Sequence, residues 1–178
     1  MLRLKVTMFR LIALLILLAV PATGDTQEVC YALQCGALLY YRPITAMHGV
    51  LSHFNHAFWS TGYEYGSVQN FLVAVEDGGP QYEGCPGGNC GYLQAWYTPG
   101  TLGHEQPGDN TNTATLWWGT GFSYQSCAAV DAITAYTQGF PNNLIPYNFV
   151  SANSNSFAHW AATFAGLTPP QPPNTQGW

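Results

Sequence analysis

The chain has very little charge. Asp, Glu, Lys and Arg make up 7% of its 178 residues. Bases are scarcest: three of the four, Arg3, Lys5 and Arg10, fall in the first ten residues, and Arg42 alone follows them. Proteins that bind nucleic acid need Lys and Arg to displace phosphate counterions, so no nucleic acid is expected as a partner. An anionic membrane surface is unexpected for the same reason. A long apolar run is also missing. "LIALLILLAV", residues 11–20, falls short of the ~20 residues that a membrane span needs. There is no internal repeat. Low charge does not predict disorder here, because aromatics reach 15% and such side chains need a core or a binding face.

The first 24 residues have the layout of a signal peptide. Basic residues precede the apolar run, and "PATG" places Ala22 and Gly24 at −3 and −1 of a cleavage site. The sequence therefore predicts a secreted or periplasmic protein with no stable membrane association after cleavage. Removing 24 residues leaves 154, a length suited to one domain over 25–167, followed by a Pro-rich tail, 168–178. The mature chain would hold one base against nine acids, a net charge of −8.

Five cysteines remain in that mature chain. Cys30 and Cys35 flank "YALQ", and Cys85 and Cys90 flank the turn sequence "PGGN". In an oxidising compartment, this spacing predicts bridges Cys30–Cys35 and Cys85–Cys90, with Cys127 free. Gaps of four do not match the gap of two common in zinc knuckles.

Apolar and aromatic runs bounded by Gly and Pro predict strands at 38–44, 56–61, 71–77, 92–98 and 115–124. Helical spacing comes late. Val130, Ile133 and Thr137 mark a helix over 126–138 that stops at Gly139. Phe157, Trp160, Ala161 and Phe164 mark another over 154–165 that stops at Gly166, with Phe157, Trp160 and Phe164 expected against the sheet. Strands followed by helices predict an α+β domain on an antiparallel sheet of about five strands.

Just before the last helix, "SANSNS" (151–156) offers five polar residues where a helix cap needs one. Ser151, Asn153 or Ser154 could be that cap, leaving Asn155 and Ser156 toward solvent. The same positions, at the positive end of a helix, could instead hold a nucleophile.

"YNFVSANSNSFAHWAATFAGL" resembles the C-terminal motif of permuted papain-like hydrolases, in which an Asn-Cys-Asn-x-Phe helix start carries the nucleophile. Asn153-Ser154-Asn155-Ser156-Phe157 occupies that place, with Ser154 where the family has Cys. "NHAFW" (55–59) is similar to the family's His-bearing strand. The run "NSNSF" with the terminal "GW" also resembles a group of little-characterised bacterial domains. The resemblance covers 55–77 and 147–178. It implies a permuted papain-like architecture and a site built from His56, Ser154 and Asn153. His56 would take the Ser154 proton and a helix-start N–H would hold the oxyanion. Glu64, Glu76 and Asn70 are positioned to orient His56.

Cys127, at the start of the earlier helix, is a rival nucleophile. "HGVLSHFNH" spaces His48, His53 and His56 without an accompanying acid or thiol pattern, so no metal or cofactor is expected. His104 in a loop and His159 on the last helix are expected to be solvated. Two functions follow. One is a secreted hydrolase or acyltransferase acting on a peptide, cell-wall or lipid amide or ester through Ser/His or Cys/His. The other is a non-catalytic secreted module that binds carbohydrate or protein through exposed aromatics.

Overall fold

The computed structural model describes residues 33–44, 54–64, 72–82, 85–101, 103 and 110–178. Strands β1 (Gln34–Pro43), β2 (Asn55–Glu64), β3 (Leu72–Pro80), β4 (Leu93–Pro99) and β5 (Thr115–Gly119) precede helices α1 (Cys127–Gln138) and α2 (Ser154–Phe164). All strand pairs are antiparallel, in the order β4-β3-β2-β1-β5. The protein is thus an α+β domain with a five-stranded antiparallel sheet and two late helices. No described helix is long and apolar enough to cross a membrane.

Strand alternation builds the layers. Cys35, Ala37 and Leu39 of β1 and Ala57 and Trp59 of β2 face one way. They pack with Val130 and Ile133 of α1 and with Ala158, Ala161 and Ala162 of α2. A second cluster joins Leu93 and Ala95 of β4 to Phe140 and Phe157. The intervening residues His56, Phe58 and Ser60 face the other side of the sheet, where the Phe58 ring stacks on Tyr40 at 5.7 Å. β5 is shorter than the 115–124 run, because Thr120 turns back to β1 and Gly121 has a φ of 73°.

The small stripe of α2 changes which of its large residues are buried. Ala158, Ala161 and Ala162 lie in the main core cluster, which rotates the helix. Phe157 is buried, Trp160 is half-buried, and Phe164, expected in the core, is 61% exposed with its ring against Tyr136.

The bridges are Cys35–Cys127 and Cys85–Cys90. The second is the expected one. The first replaces Cys30–Cys35 and means that Cys127 is not free; Cys30 lies outside the described residues. Short spacing misled because Cys35 lies in β1, whose alternation aims it at the helix layer. There Cys35 and Ser123 exchange backbone hydrogen bonds of 3.0 and 3.1 Å, and Cys127 opens α1 four residues later. This bridge spans 92 residues. Loop closure over that length would stabilise by about 4–5 kcal/mol, more than the short turn bridge. Non-reducing peptide mapping should recover a Cys35–Cys127 cross-link. The double variant Cys35→Ser, Cys127→Ser should lose about 2–5 kcal/mol of stability by urea unfolding.

One buried acid lies at the joint between sheet and α1. Glu76 is fully buried in a chain with almost no cations. Thr61 and Thr134 donate to its Oε1 at 2.8 and 2.7 Å. The Thr137 hydroxyl lies 2.9 Å from both Glu76 Oε2 and the Ile133 carbonyl, and a hydroxyl has one hydrogen to give. Both contacts are satisfied if Glu76 is protonated and donates to Thr137, which then donates to Ile133. Among the described residues, its other neighbours bring no base. Tyr97 is its partner on β4. Tyr63 donates to Asp131 at 2.9 Å, and burial together with that carboxylate pushes the phenol up to about 12.

Burial also pushes the Glu76 carboxyl above its ordinary value, against the lowering effect of the three threonines. The folded state therefore holds this proton more tightly than the unfolded chain does. Its contribution is fully present below the ordinary glutamate range and is lost as pH rises through the folded value. Glu76→Gln, which mimics the neutral acid, should flatten this part of the profile and raise stability at neutral pH. Urea unfolding of both proteins across pH measures it; parallel curves would show that Glu76 is ionised.

Candidate functional site

The polar run at the start of α2 sits where β2 and β3 part. β2 pairs with β3 only from Trp59 to Tyr63, leaving the first residues of β2 without a strand on that side. Side-chain amides and the C-terminal tail fill the gap. Asn155 Oδ1 accepts from the Ala57 N–H at 2.7 Å, and its Nδ2 donates to the Asn55 carbonyl at 3.0 Å. One amide thus supplies the acceptor and donor that a neighbouring strand would have offered. The Asn55 N–H donates to the Asn174 carbonyl at 3.0 Å, and Asn55 Nδ2 to Pro173 at 2.6 Å.

Asn153 is the cap. Its Oδ1 accepts from the N–H groups of Asn155 and Ser156, and Ser156 Oγ accepts in return from the Asn153 N–H, closing a capping box. Its Nδ2 donates to Phe149 at 2.6 Å and Gln176 at 2.9 Å. Asn155 Nδ2 also reaches the Gln176 carbonyl, at 3.0 Å. Ser156 Oγ donates to Gly177 at 2.6 Å. Both hydrogens of each amide are therefore used. Gly177 has a φ of 77°, and a Cβ there would stand 2.7 Å from Asn153 Nδ2 and 2.8 Å from Ser156 Oγ. Trp178 packs on the main core cluster and against the His159 ring at 5.3 Å. The "NSNSF" run and terminal "GW" are two halves of one joint.

This joint changes several expectations. Asn155 and Ser156 are buried in the joint rather than facing solvent, and Asn153 is a structural cap and tail anchor. His159 is half-buried against Trp178 rather than solvated. The Cys127 sulfur is bonded to Cys35, so the bridged protein has no thiol there to act as a nucleophile.

His56 and Ser154 come from elements that meet, since the Asn155 side chain bonds β2 at Asn55 and Ala57, on either side of His56. His56 is 2% exposed and stacks on Phe58 at 6.0 Å, on the face away from Ala57 and Trp59. Ser154, 5% exposed, is the one member of the Asn153–Ser156 run with no side-chain hydrogen bond among the described residues. Glu76 is on the helix-facing side, held by its threonines, and does not orient His56. Asn70, His48, His53, His104 and the side chain of Glu64 lie outside the described residues. Among the described residues, no group of three or more His, Cys, Asp or Glu could hold a metal.

No family model, curated protein or solved structure matches the chain.

If the joint is structural, Asn155→Ala leaves a β2 donor and acceptor buried without partners. It should cost about 1–3 kcal/mol, the usual penalty for buried unsatisfied groups. Gly177→Ala should destabilise as well, since it combines a positive φ with close approach to two side chains. Denaturant unfolding measures both, and changes below about 0.5 kcal/mol, the level of an ordinary surface substitution, would show that the joint is not closed in solution.

Proposed function

We propose that this chain is a secreted, non-catalytic binding module that uses exposed aromatic side chains to hold its ligand. The observation that carries the reading is the use of Asn153, Asn155 and Ser156. The run that resembles a nucleophile-bearing helix start is spent on joining α2, β2 and the C-terminal tail. The second support is that strand alternation turns His56 to the face of the sheet away from Ala57 and Trp59, which pack on α2. The leader-like first 24 residues and the two disulfides support secretion. The surface, poor in charge and rich in rings, supports binding by contact rather than by ion pairing.

A second reading, amide or ester hydrolysis through His56 and Ser154, keeps one observation in its favour. The Ser154 hydroxyl is nearly buried at the positive end of α2 and has no side-chain hydrogen bond among the described residues. A fluorophosphonate probe separates the two readings. The binding module should show no labelling that depends on Ser154. Labelling of the wild type that is lost in both Ser154→Ala and His56→Ala, with both variants folded, would replace it with the hydrolase.

A further inference from the structure

The two ends of α1 are fixed to the sheet by different means. Its first residue, Cys127, is bridged to Cys35 of β1. Its C-terminal half rests on Glu76 of β3. Thr134 donates to Glu76 Oε1 at 2.7 Å, beside Thr61 of β2 at 2.8 Å. The Thr137 hydroxyl lies 2.9 Å from Oε2 and 2.9 Å from the Ile133 carbonyl. One end of the helix is therefore held by a covalent bond and the other by a buried carboxyl.

The charge state of that carboxyl matters to the helix. The C-terminal end of a helix carries partial negative charge. α1 has no basic residue in its last turn to offset it, so a carboxylate beside these carbonyls is repelled. A neutral acid avoids the repulsion and completes the chain of bonds from Glu76 through Thr137 to Ile133. Nothing described on the packed elements favours the ionised form. Tyr63 of β2 donates to Asp131, the one charged residue of α1, which is exposed. β4 brings Tyr97, the register partner of Glu76. Asp77, the next residue of β3, faces the other side of the sheet. Tyr136 of α1 meets Phe140 and Phe157, Tyr41 of β1 meets Trp117, and His159 of α2 meets Trp178.

The chain after α1 extends the reach of this contact. The Gly139 N–H donates to Ala135 at 2.9 Å and the Phe140 N–H to Thr137 at 3.3 Å, closing the last turn. Residues 140–147 then run along the outer edge of β4. The Ala95 N–H donates to Asn142 Oδ1 at 2.8 Å, the Leu93 N–H to Ile145 at 2.7 Å, and the Tyr147 N–H to Gly91 at 2.9 Å. This strap covers backbone groups that a bare edge would offer to another strand. We propose that Glu76 is a proton-operated latch: neutral, it holds the last turn of α1 and the strap behind it on the sheet; ionised, it lets them open about the bridged first turn. Such an opening is local, short of global unfolding. The closed form holds the proton more tightly than the open form, in which the carboxyl meets water. Opening is therefore favoured as pH rises from the ordinary glutamate range toward the value in the closed form, and levels off above it.

Amide hydrogen exchange of the bridged protein, followed by NMR from about pH 4 to about pH 8 with each rate divided by its intrinsic value, tests the latch. Gly139 and Phe140 report on the last turn, and Ala95 reports on the strap. Val130, whose N–H donates to Ser126 at 3.1 Å, reports on the bridged end. Relative to Val130, the other three should lose protection as pH rises, by up to about tenfold per pH unit. In Glu76→Gln, which has no proton to release, these ratios should stay flat. The comparison of the two ends within the wild type holds even if the variant fails to fold. Ratios that do not change with pH, because the protein opens only as a whole or not at all, overturn the latch. So does the same loss in folded Glu76→Gln, since another group then titrates. Loss at Gly139 and Phe140 with Ala95 still protected overturns the part of the inference that concerns the strap.

Discussion

A sheet cannot leave buried backbone donors and acceptors without partners, and β2 begins before β3 reaches it. The Asn155 side chain meets that need by standing in for a strand, with its oxygen on the Ala57 N–H and its nitrogen on the Asn55 carbonyl. Much of the C-terminal half depends on this substitution. It fixes where α2 starts, since Asn155 must be in the first turn. It requires Asn153 as cap, and it brings Gln176 and Gly177 against both side chains. The tail is then held along its length, from the Trp117 indole on Pro170 to Trp178 on the core. A Pro-rich segment has few backbone donors of its own, so it suits a role in which its carbonyls accept from side chains.

The same economy of charge runs through the rest of the protein. With Arg42 as the one Lys or Arg beyond the first ten residues, the fold meets Glu76 and Asp131 with hydroxyls and uses amides elsewhere. Three threonines surround Glu76, a tyrosine meets Asp131, and Asn142 satisfies Ala95 at the outer edge of β4. Such contacts tolerate burial better than unpaired ions do. They also suit a chain that is poor in charge.

The resemblance to permuted papain-like hydrolases rested on residues that have two uses. Asn and Ser at a helix start serve a nucleophile and serve a cap, and sequence spacing is the same in both cases. The partners of the side chains are what we read as favouring the cap. Gln176 and Gly177, some twenty residues away in the chain, take the hydrogens of Asn153, Asn155 and Ser156. No local pattern announces such a pairing. A positional hint was present in "GW", because a glycine before a terminal aromatic fits close backbone approach followed by an anchor.

By itself the sequence determined the order and type of the elements. Alternating aromatics and β-branched residues read as strands, and the Val130–Ile133–Thr137 and Phe157–Ala161 spacings read as helices, because local periodicity follows from backbone geometry. The turn bridge Cys85–Cys90 was legible for the same reason. The tertiary structure alone decided the partners of residues far apart in sequence. Cys35 reaches Cys127 because β1 and α1 share the core. Phe164 is exposed because alanines bring α2 close and rotate it. Glu76 is buried because β3 lies beneath α1. His56 faces away from the helix layer through strand alternation combined with the choice of which face the helices cover. Each of these depends on packing in three dimensions, which no window of neighbouring residues contains.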